Sequence, residues 1–342
     1  MKRNTSIIRY IDLFCGIGGF RIAIENLASS YKLNIKCVFS SDIDKEAQKA
    51  YRANFAELPL GDITTIREVD IPDHELLMAG FPCQPFSIIG NKKGFADTRG
   101  ILFFDIARIL EAKRPFAFLL ENVKQFRGHQ KGHTLRRIMQ TLTNMGYYCD
   151  YRILNALDFG LPQKRERIFI VGFMDPLNFY WPKGGIPMRP LSEILEPNPP
   201  PKFYASEHIR KKRKEMCKTY ASPSILHENI AGHISAYPFS CALRAGASYN
   251  YLLVDGIRRL TPREMLRLQG FPDTYKIVCS DSETRTQAGN SVAVPVVEAI
   301  LERMFIAMRF VAESSEKYRR FGSRVNYGFK EFQNERTKIA ER

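Results

Sequence analysis

Short apolar runs alternate with longer stretches in which apolar residues recur every three or four positions. Ile7–Phe14, Ile35–Phe39, Leu76–Ala79, Phe116–Leu120, Tyr147–Leu154 and Ile168–Val171 have the length and apolar density of buried strands. Between them, the spacing predicts helices near Phe20–Leu27, Asp44–Phe55, Ile101–Leu110 and Leu135–Met145. Alternation of this kind predicts an α/β fold: a mostly parallel sheet with helices on both faces.

The pattern breaks after Phe173. Prolines at 176, 182, 187, 190, 197, 199, 200 and 201 rule out regular ladders and read as a connection between units. A smaller, irregular unit follows, and periodicity returns from Arg258. The expected organisation is a first unit over 1–176, a second over 177–256, a return to the first over 257–312, and a polar tail over 313–342.

Bulk composition narrows the classes. A chain of 342 residues that is 44% hydrophobic can bury a large core. The 7 cysteines form no Cys-x-x-Cys pair, which argues against a disulfide framework or a zinc site and predicts a reducing cytoplasm. No apolar run approaches the ~18 residues of a membrane helix. The formal net charge of +15 suits a polyanionic partner, because each neutralised phosphate releases counterions, and by itself suits a merely soluble basic protein equally well.

Candidate chemistry collects at the predicted strand ends. Asp12-Leu13-Phe14-Cys15-Gly16-Ile17-Gly18-Gly19-Phe20 leaves the first strand and opens a helix, and its glycines let backbone approach a ligand. The spacing is not Gly-x-Gly-x-x-Gly, which counts against a dinucleotide. Asp42 follows the second strand, where an acid can accept from ribose hydroxyls, and Asp62 lies in a further loop expected on the same edge. Taken singly, Asp42 would cap the next helix and Asp62 would close a turn.

Cys83 sits in Gly80-Phe81-Pro82-Cys83-Gln84-Pro85-Phe86-Ser87, directly after the third strand. The usual fate of a free cysteine is burial as a small hydrophobe. A loop stiffened by two prolines and made polar by Gln84 and Ser87 suits a nucleophile instead. Glu121 ends the fourth strand, where poor solvation raises a carboxyl pKa. In Gln163-Lys164-Arg165-Glu166-Arg167, strand alternation puts Arg165 and Arg167 on one face.

These segments, in this order, resemble the cytosine-C5 DNA methyltransferases through nearly the whole chain. The glycine loop resembles the family's cofactor loop, Gly80–Ser87 its Pro-Cys-Gln segment, and Glu121-Asn122-Val123 its Glu-Asn-Val motif. Gln163–Arg167 resembles its Gln-x-Arg-x-Arg strand. Arg259–Glu264 with Leu268–Pro272, and Gln287–Val292, resemble the segments after the recognition domain. The chain departs from the pattern at Ala242-Leu243, where the family usually has Thr-Leu.

The resemblance implies a Rossmann-like S-adenosylmethionine-dependent sheet with a smaller target-recognition domain. Around the cofactor it places Phe14, Gly16, Gly18, Gly19, Asp42, Ile43, Asp62, Pro82, Leu102, Asn290, Ser291 and Val292. Phe14 would stack on the adenine, Asp42 hold the ribose hydroxyls and Asp62 read the adenine amine. It implies Cys83, Glu121, Arg165 and Arg167 as the catalytic set. Cys83 would add to C6 of a flipped cytosine, Glu121 would contact N3 and the exocyclic amine, and Arg165 would sit over the base. DNA contacts are expected from Gln84, Ser87, Lys92, Lys93, Arg210, Lys211, Lys212, Arg244, Ser248 and Tyr249. Ser87–Ile101 is expected to be a closing loop.

The implied partner is double-stranded DNA, with no metal and no membrane, for a monomeric enzyme that is either the modification member of a restriction-modification system, its cognate endonuclease acting independently, or an orphan methylase. Three rivals make distinct demands. A tRNA-directed relative would carry Cys-Phe-Thr, which is absent. A dead DNA-binding relative would have lost Cys83, Glu121 or the glycine loop. A dehydrogenase would leave the set of Cys83, Glu121 and Arg165 unexplained.

Overall fold

The computed structural model describes residues 7–82 and 102–310. Cys83, Gln84, Ser87, Lys92 and Lys93, the expected closing loop up to Ile101, and the tail from 311 onward lie outside the described residues.

The elements follow in chain order. They are β1 (Ile8–Leu13), α1 (Gly19–Tyr31), β2 (Ile35–Ser41), α2 (Lys45–Phe55), β3 (Leu76–Gly80), α3 (Phe103–Lys113), β4 (Ala117–Val123), α4 (His133–Asn144) and β5 (Tyr148–Asn155). Next come the two-residue β6 (Gln163–Lys164), β7 (Glu166–Phe173), α5 (Glu207–Met216), β8 (Ile225–Glu228), β9 (Ile234–Tyr237), β10 (Ser240–Cys241) and β11 (Leu252–Val254). The chain continues through α6 (Pro262–Leu268), α7 (Asp281–Asn290) and α8 (Val294–Ala307).

The six strands expected from apolar density form one sheet in the order β2-β1-β3-β4-β7-β5. β1 pairs in parallel with β2 and β3, and β3 with β4. β7 runs antiparallel to both β4 and β5, so the sheet is mixed at that end. The cause is local: β5 and β7 are joined by a short connection with no crossover helix, and such a connection can only return the chain antiparallel.

Alternation along the strands divides the interior in two. Tyr10, Met78 and Leu119 face a core shared with α1 and α8, while Ile11, Leu77, Phe118 and Leu120 face one shared with α3 and α4. Helices therefore cover both faces, as the pattern predicts. Gly172 of β7 exists for this packing, since a Cβ there would lie 2.2 Å from the Phe118 ring.

β1 sends the chain to β2 on one side and then to β3 on the other. That reversal leaves a crevice beyond the carboxyl ends of the strands, where ligands bind in open α/β sheets. The glycine loop after β1, the acids after β2 and the Phe81-Pro82 segment after β3 all reach this rim. The C-terminal helices close on it. α8 packs against α1, and the Tyr275 hydroxyl donates to the Ile17 carbonyl at 2.9 Å. α6 starts on a reciprocal cap between Thr261 and Glu264, and buried Glu264 also holds Arg258 at 2.8 Å. β8, β9 and β11 form a separate three-stranded antiparallel sheet.

Candidate active site

The rim encloses a cavity of about 930 Å³ lined by the ends of β1 to β4, by Arg165 and Arg167, by Leu243–Ala245, and by Gln287 and Gly289–Val292. Its walls come from segments far apart in the chain, brought together by the strand order.

The glycine loop turns at Phe14, Gly16 and Gly18, which have positive φ of 55°, 52° and 83°. A Cβ on Gly16 would meet nothing within 4 Å, so this position opens onto cavity space. Gly18 is different. It does not line the cavity; it begins α1, and a Cβ there would lie 2.2 Å from the Phe55 ring. The structure gives Gly18 a packing role at the start of α1. Gly19 does line the cavity, with Ser291 and Val292 against it.

Asp42 does not cap α2; Asp44 does, accepting from the Glu46 and Ala47 amides. Asp42 instead accepts from the Gly16 amide at 2.7 Å and the Asp44 amide at 2.8 Å, tying the glycine loop to the end of β2. Burial pushes its pKa up, opposed by those two amide bonds. The Asp42 amide donates to Leu60 O, which brings the Gly61-Asp62 turn alongside. Asp62 caps that turn by accepting from the Thr64 amide and hydroxyl, so the expected turn-closing role and the cavity position coexist. Ile43 is 70% exposed, unusual for isoleucine, and its free face is part of the cavity wall.

The cavity suits S-adenosylmethionine. Phe14, Ile43 and Leu102 offer apolar surface for a planar base, Asp42 and Asp62 offer acceptors for hydroxyls and an amine, and Gly16 and Gly61 leave space that a Cβ would fill.

Glu121 lies beside Gly80 across the β3–β4 pair. Burial raises its pKa, with the Arg167 and Arg165 charges acting in the opposite direction. Arg167 meets it directly, Nε to Oε1 at 3.1 Å. Arg165 is almost wholly buried and donates to three backbone carbonyls: Leu243 at 3.2 Å, Gly289 at 3.0 Å and Ser291 at 2.6 Å. Burial and the Arg167 charge lower its pKa to about 9, which leaves it charged at neutral pH. Both arginines line the cavity, as their shared face predicts, but they divide the work. Arg165 binds the walls together, and Arg167 faces the carboxylate.

Two further side chains shape the rim. Buried Asn122 donates to Phe81 O at 2.9 Å, and the Phe81 ring is wedged between Phe103 and Phe126. The chain is thus held firmly one residue before Pro82, which lines the cavity and directly precedes Cys83 in sequence. Buried Gln163 accepts from the Leu243 amide and donates to Leu268 O. Both residues stand inside recognisable motifs, but their roles depend on partners that spacing does not reveal.

The cations of Arg210–Lys214 do not form one solvated run. Arg210 and Lys211 are exposed on α5, while Lys212 pairs with Glu228 at 3.0 Å and buried Arg213 pairs with the same carboxylate at 2.5 Å. Ser248 and Tyr249 are exposed in the loop before β11. No group of His, Cys, Asp and Glu suited to a metal occurs among the described residues. No helix among them is long and apolar enough to cross a membrane.

Comparison with known proteins agrees with this geometry. The family profile of the C-5 cytosine-specific DNA methylases matches residues 8–306. The type II methyltransferase M.NgoBI of Neisseria gonorrhoeae is 54% identical over 310 residues, 90% of this chain and 95% of that protein. M.HaeII of Haemophilus aegyptius is 54% identical over 297 residues, covering 86% and 92%. In fold, the chain is similar to a Spodoptera frugiperda DNMT2 structure with TM-score 0.70 and 20% identity, covering 87% of this chain and 99% of that one. A cavity at the switch point of the sheet, a buried carboxylate paired with arginine, and a match across nearly the whole chain converge: the protein belongs to the C-5 cytosine-specific DNA methylase family and is a DNA (cytosine-5)-methyltransferase.

Proposed function

We propose that this enzyme methylates C5 of a cytosine flipped out of a specific duplex DNA sequence, through a covalent bond between Cys83 and C6, as the modification enzyme of a restriction-modification system. The observation that carries the reading is the Glu121–Arg167 pair at 3.1 Å, set in the same cavity as Asp42, Asp62 and the Pro82 that precedes Cys83.

C5 of cytosine is a poor nucleophile. Attack of the Cys83 thiolate on C6 forms the S–C6 bond and pushes the C5–C6 electron pair toward C5. Glu121, with its raised pKa, is suited to hold a proton at N3 while the ring becomes electron-rich. Arg167 supplies a fixed cation at the same place, which favours an anionic transition state in a water-poor cavity. Its contact with Glu121 makes it, more than Arg165, the cation placed to meet the base. When bound, S-adenosylmethionine supplies the electrophilic methyl group. Loss of the C5 proton returns its electron pair to the ring and expels Cys83 as thiolate.

A stacked base cannot offer both faces of C5 and C6, so flipping is required, at a cost of about a few kcal/mol. Phe14, Asp42, Ile43 and Asp62 would hold the adenosine, with Gly289–Val292 closing the opposite side. Residues 177–256 would carry target recognition, with Arg210 and Lys211 as phosphate contacts that position without specifying.

Purified enzyme should transfer labelled methyl from S-adenosylmethionine to duplex DNA, and Cys83→Ser should abolish transfer while cofactor binding persists. Undiminished transfer in that variant would overturn the mechanism.

A further inference from the structure

The loop from Ala242 to Tyr251 is fastened to the catalytic side at Leu243, Ala247 and Tyr249. Gln163 and Arg165 bind the Leu243 amide and carbonyl. Gly289 sits so close beneath the next residues that a Cβ would lie 2.7 Å from the Ala245 nitrogen. Arg285 donates to Ala247 O at 2.8 Å and stacks on Tyr249, 4.1 Å from the ring centroid. Loops usually gain order from their own surroundings. This one takes its order from the cavity wall.

Arg244 stands at the centre of that clamp. Its amide donates to the Tyr251 hydroxyl at 3.0 Å, and its guanidinium lies over the buried Tyr251 ring at 4.8 Å. Its side chain is exposed, lines the same cavity as Glu121 and Arg167, and has no ion pair or side-chain hydrogen bond among the described residues. Stacking fixes the plane of a guanidinium and leaves its edge donors available. A planar fork with its rotamer already chosen suits a rigid pair of acceptors about one guanine edge wide.

On the reading that this cavity receives a flipped cytosine, we propose that Arg244 is a specificity-determining residue that reads O6 and N7 of a guanine next to the target base. The mouth of a flipping pocket faces the neighbours of the extruded nucleotide, and paired donors to O6 and N7 are the commonest specific arginine contact in the major groove. A phosphate would need only charge, which the exposed Arg210 and Lys211 already offer. Tyr251 and Arg285 act as positioning residues for this fork.

The test is a double-mutant cycle between protein and DNA. Once methylated cytosines have been mapped, duplexes carry 7-deazaguanine in place of each guanine of the recognition sequence in turn. This change removes N7 and leaves Watson–Crick pairing intact. For the wild-type enzyme, one position next to the target cytosine should lower kcat/KM at least about tenfold. In Arg244→Met, which keeps an apolar stem on Tyr251, kcat/KM on normal DNA should fall and the penalty at that one position should shrink to less than about twofold, with other positions unchanged. Thermal unfolding and cofactor binding of the variant check that it folds; if Arg244→Met fails this check, Arg244→Lys serves, because a single ammonium cannot make the paired contact. Retention of the full penalty in the variant, a recognition sequence with no guanine beside the target, or a uniform loss on every duplex with a shallower salt dependence would overturn the proposal, the last outcome assigning Arg244 to phosphate. A wild-type enzyme that methylates no duplex would instead overturn the functional reading beneath it.

Discussion

The cofactor side of the cavity and the loop facing it are built by opposite means. On the cofactor side, several lining residues sit at or near the end of a strand, where backbone ladders fix their place. Asp42 follows β2, Gly80 ends β3, and Glu121 lies within β4. The facing loop has only the two-residue β10 at its start, paired to β6. Its geometry is imposed by side chains of the catalytic unit, chiefly Gln163, Arg165 and Arg285, which reach across to its backbone. The enzyme thus has a rim fixed by the sheet and a facing loop that borrows rigidity from that rim. A family that keeps one chemistry while changing its target would be served by this division, because loop side chains can vary while the carbonyls that Arg165 grips remain.

Removing the grip should have the largest effect. Arg165→Met strands three buried carbonyls and should lower unfolding free energy by about 2–4 kcal/mol, with loss of hydrogen-exchange protection at Leu243 and Ser291 together. Calorimetry and exchange would check this. Unchanged stability, or loosening of only one segment, would break the comparison.

The strand-built side has its own weak point at Gly18. Gly18→Ala adds a Cβ against Phe55 in a left-handed conformation, and should cost about 2–3 kcal/mol. The cost should fall on the glycine loop and cofactor binding, measurable by titration calorimetry, with little change in exchange at Leu243.

A third substitution acts through charge. Burial already raises the Glu121 pKa, and Arg167 is the foremost influence holding it down. Arg167→Gln removes that cation, so the carboxyl keeps its proton to higher pH. If protonated Glu121 is the active form, the limb of the kcat/KM profile on which activity falls with rising pH moves upward. A limb that stays in place or moves down would show that Arg167 does not act on Glu121.

The smallest effect is expected on α5. Arg210→Gln with Lys211→Gln should make DNA binding less salt-dependent, changing the log–log slope by up to about 2. Lys212→Gln, whose ammonium is engaged by Glu228, should change it less.

What was legible in the sequence follows the same division. The strands could be read because a short, dense apolar run is a local property, and Tyr10-Ile11 and Leu77-Met78, buried on opposite faces of the sheet, display it directly. Asp42 and Glu121 could be placed because a strand end is a position in sequence as well as in space. The packing of Gly18 against Phe55 was not legible, because a glycine needed for φ and for close packing looks the same in sequence as one needed for a ligand. The anchoring of Arg165 and Arg213 was hidden for another reason. The partners of Arg165 lie 78, 124 and 126 positions away, and Arg213 is drawn inward by Glu228 from the middle of a cationic run that looks solvated. Long-range side-chain bonds to backbone leave no periodic trace.

The central claim is that Cys83, which follows the anchored Phe81-Pro82 segment in sequence, bonds to C6 of a flipped cytosine. Duplex carrying 5-fluorocytosine at the mapped target tests it directly, because fluorine at C5 cannot leave as a proton does and the S–C6 bond persists after methylation. In the presence of S-adenosylmethionine the wild-type enzyme should form a protein–DNA adduct that survives denaturing electrophoresis, and Cys83→Ser should form none. Absence of an adduct on a sequence that the wild-type enzyme methylates, or an adduct formed equally by the Cys83→Ser variant, would contradict the account.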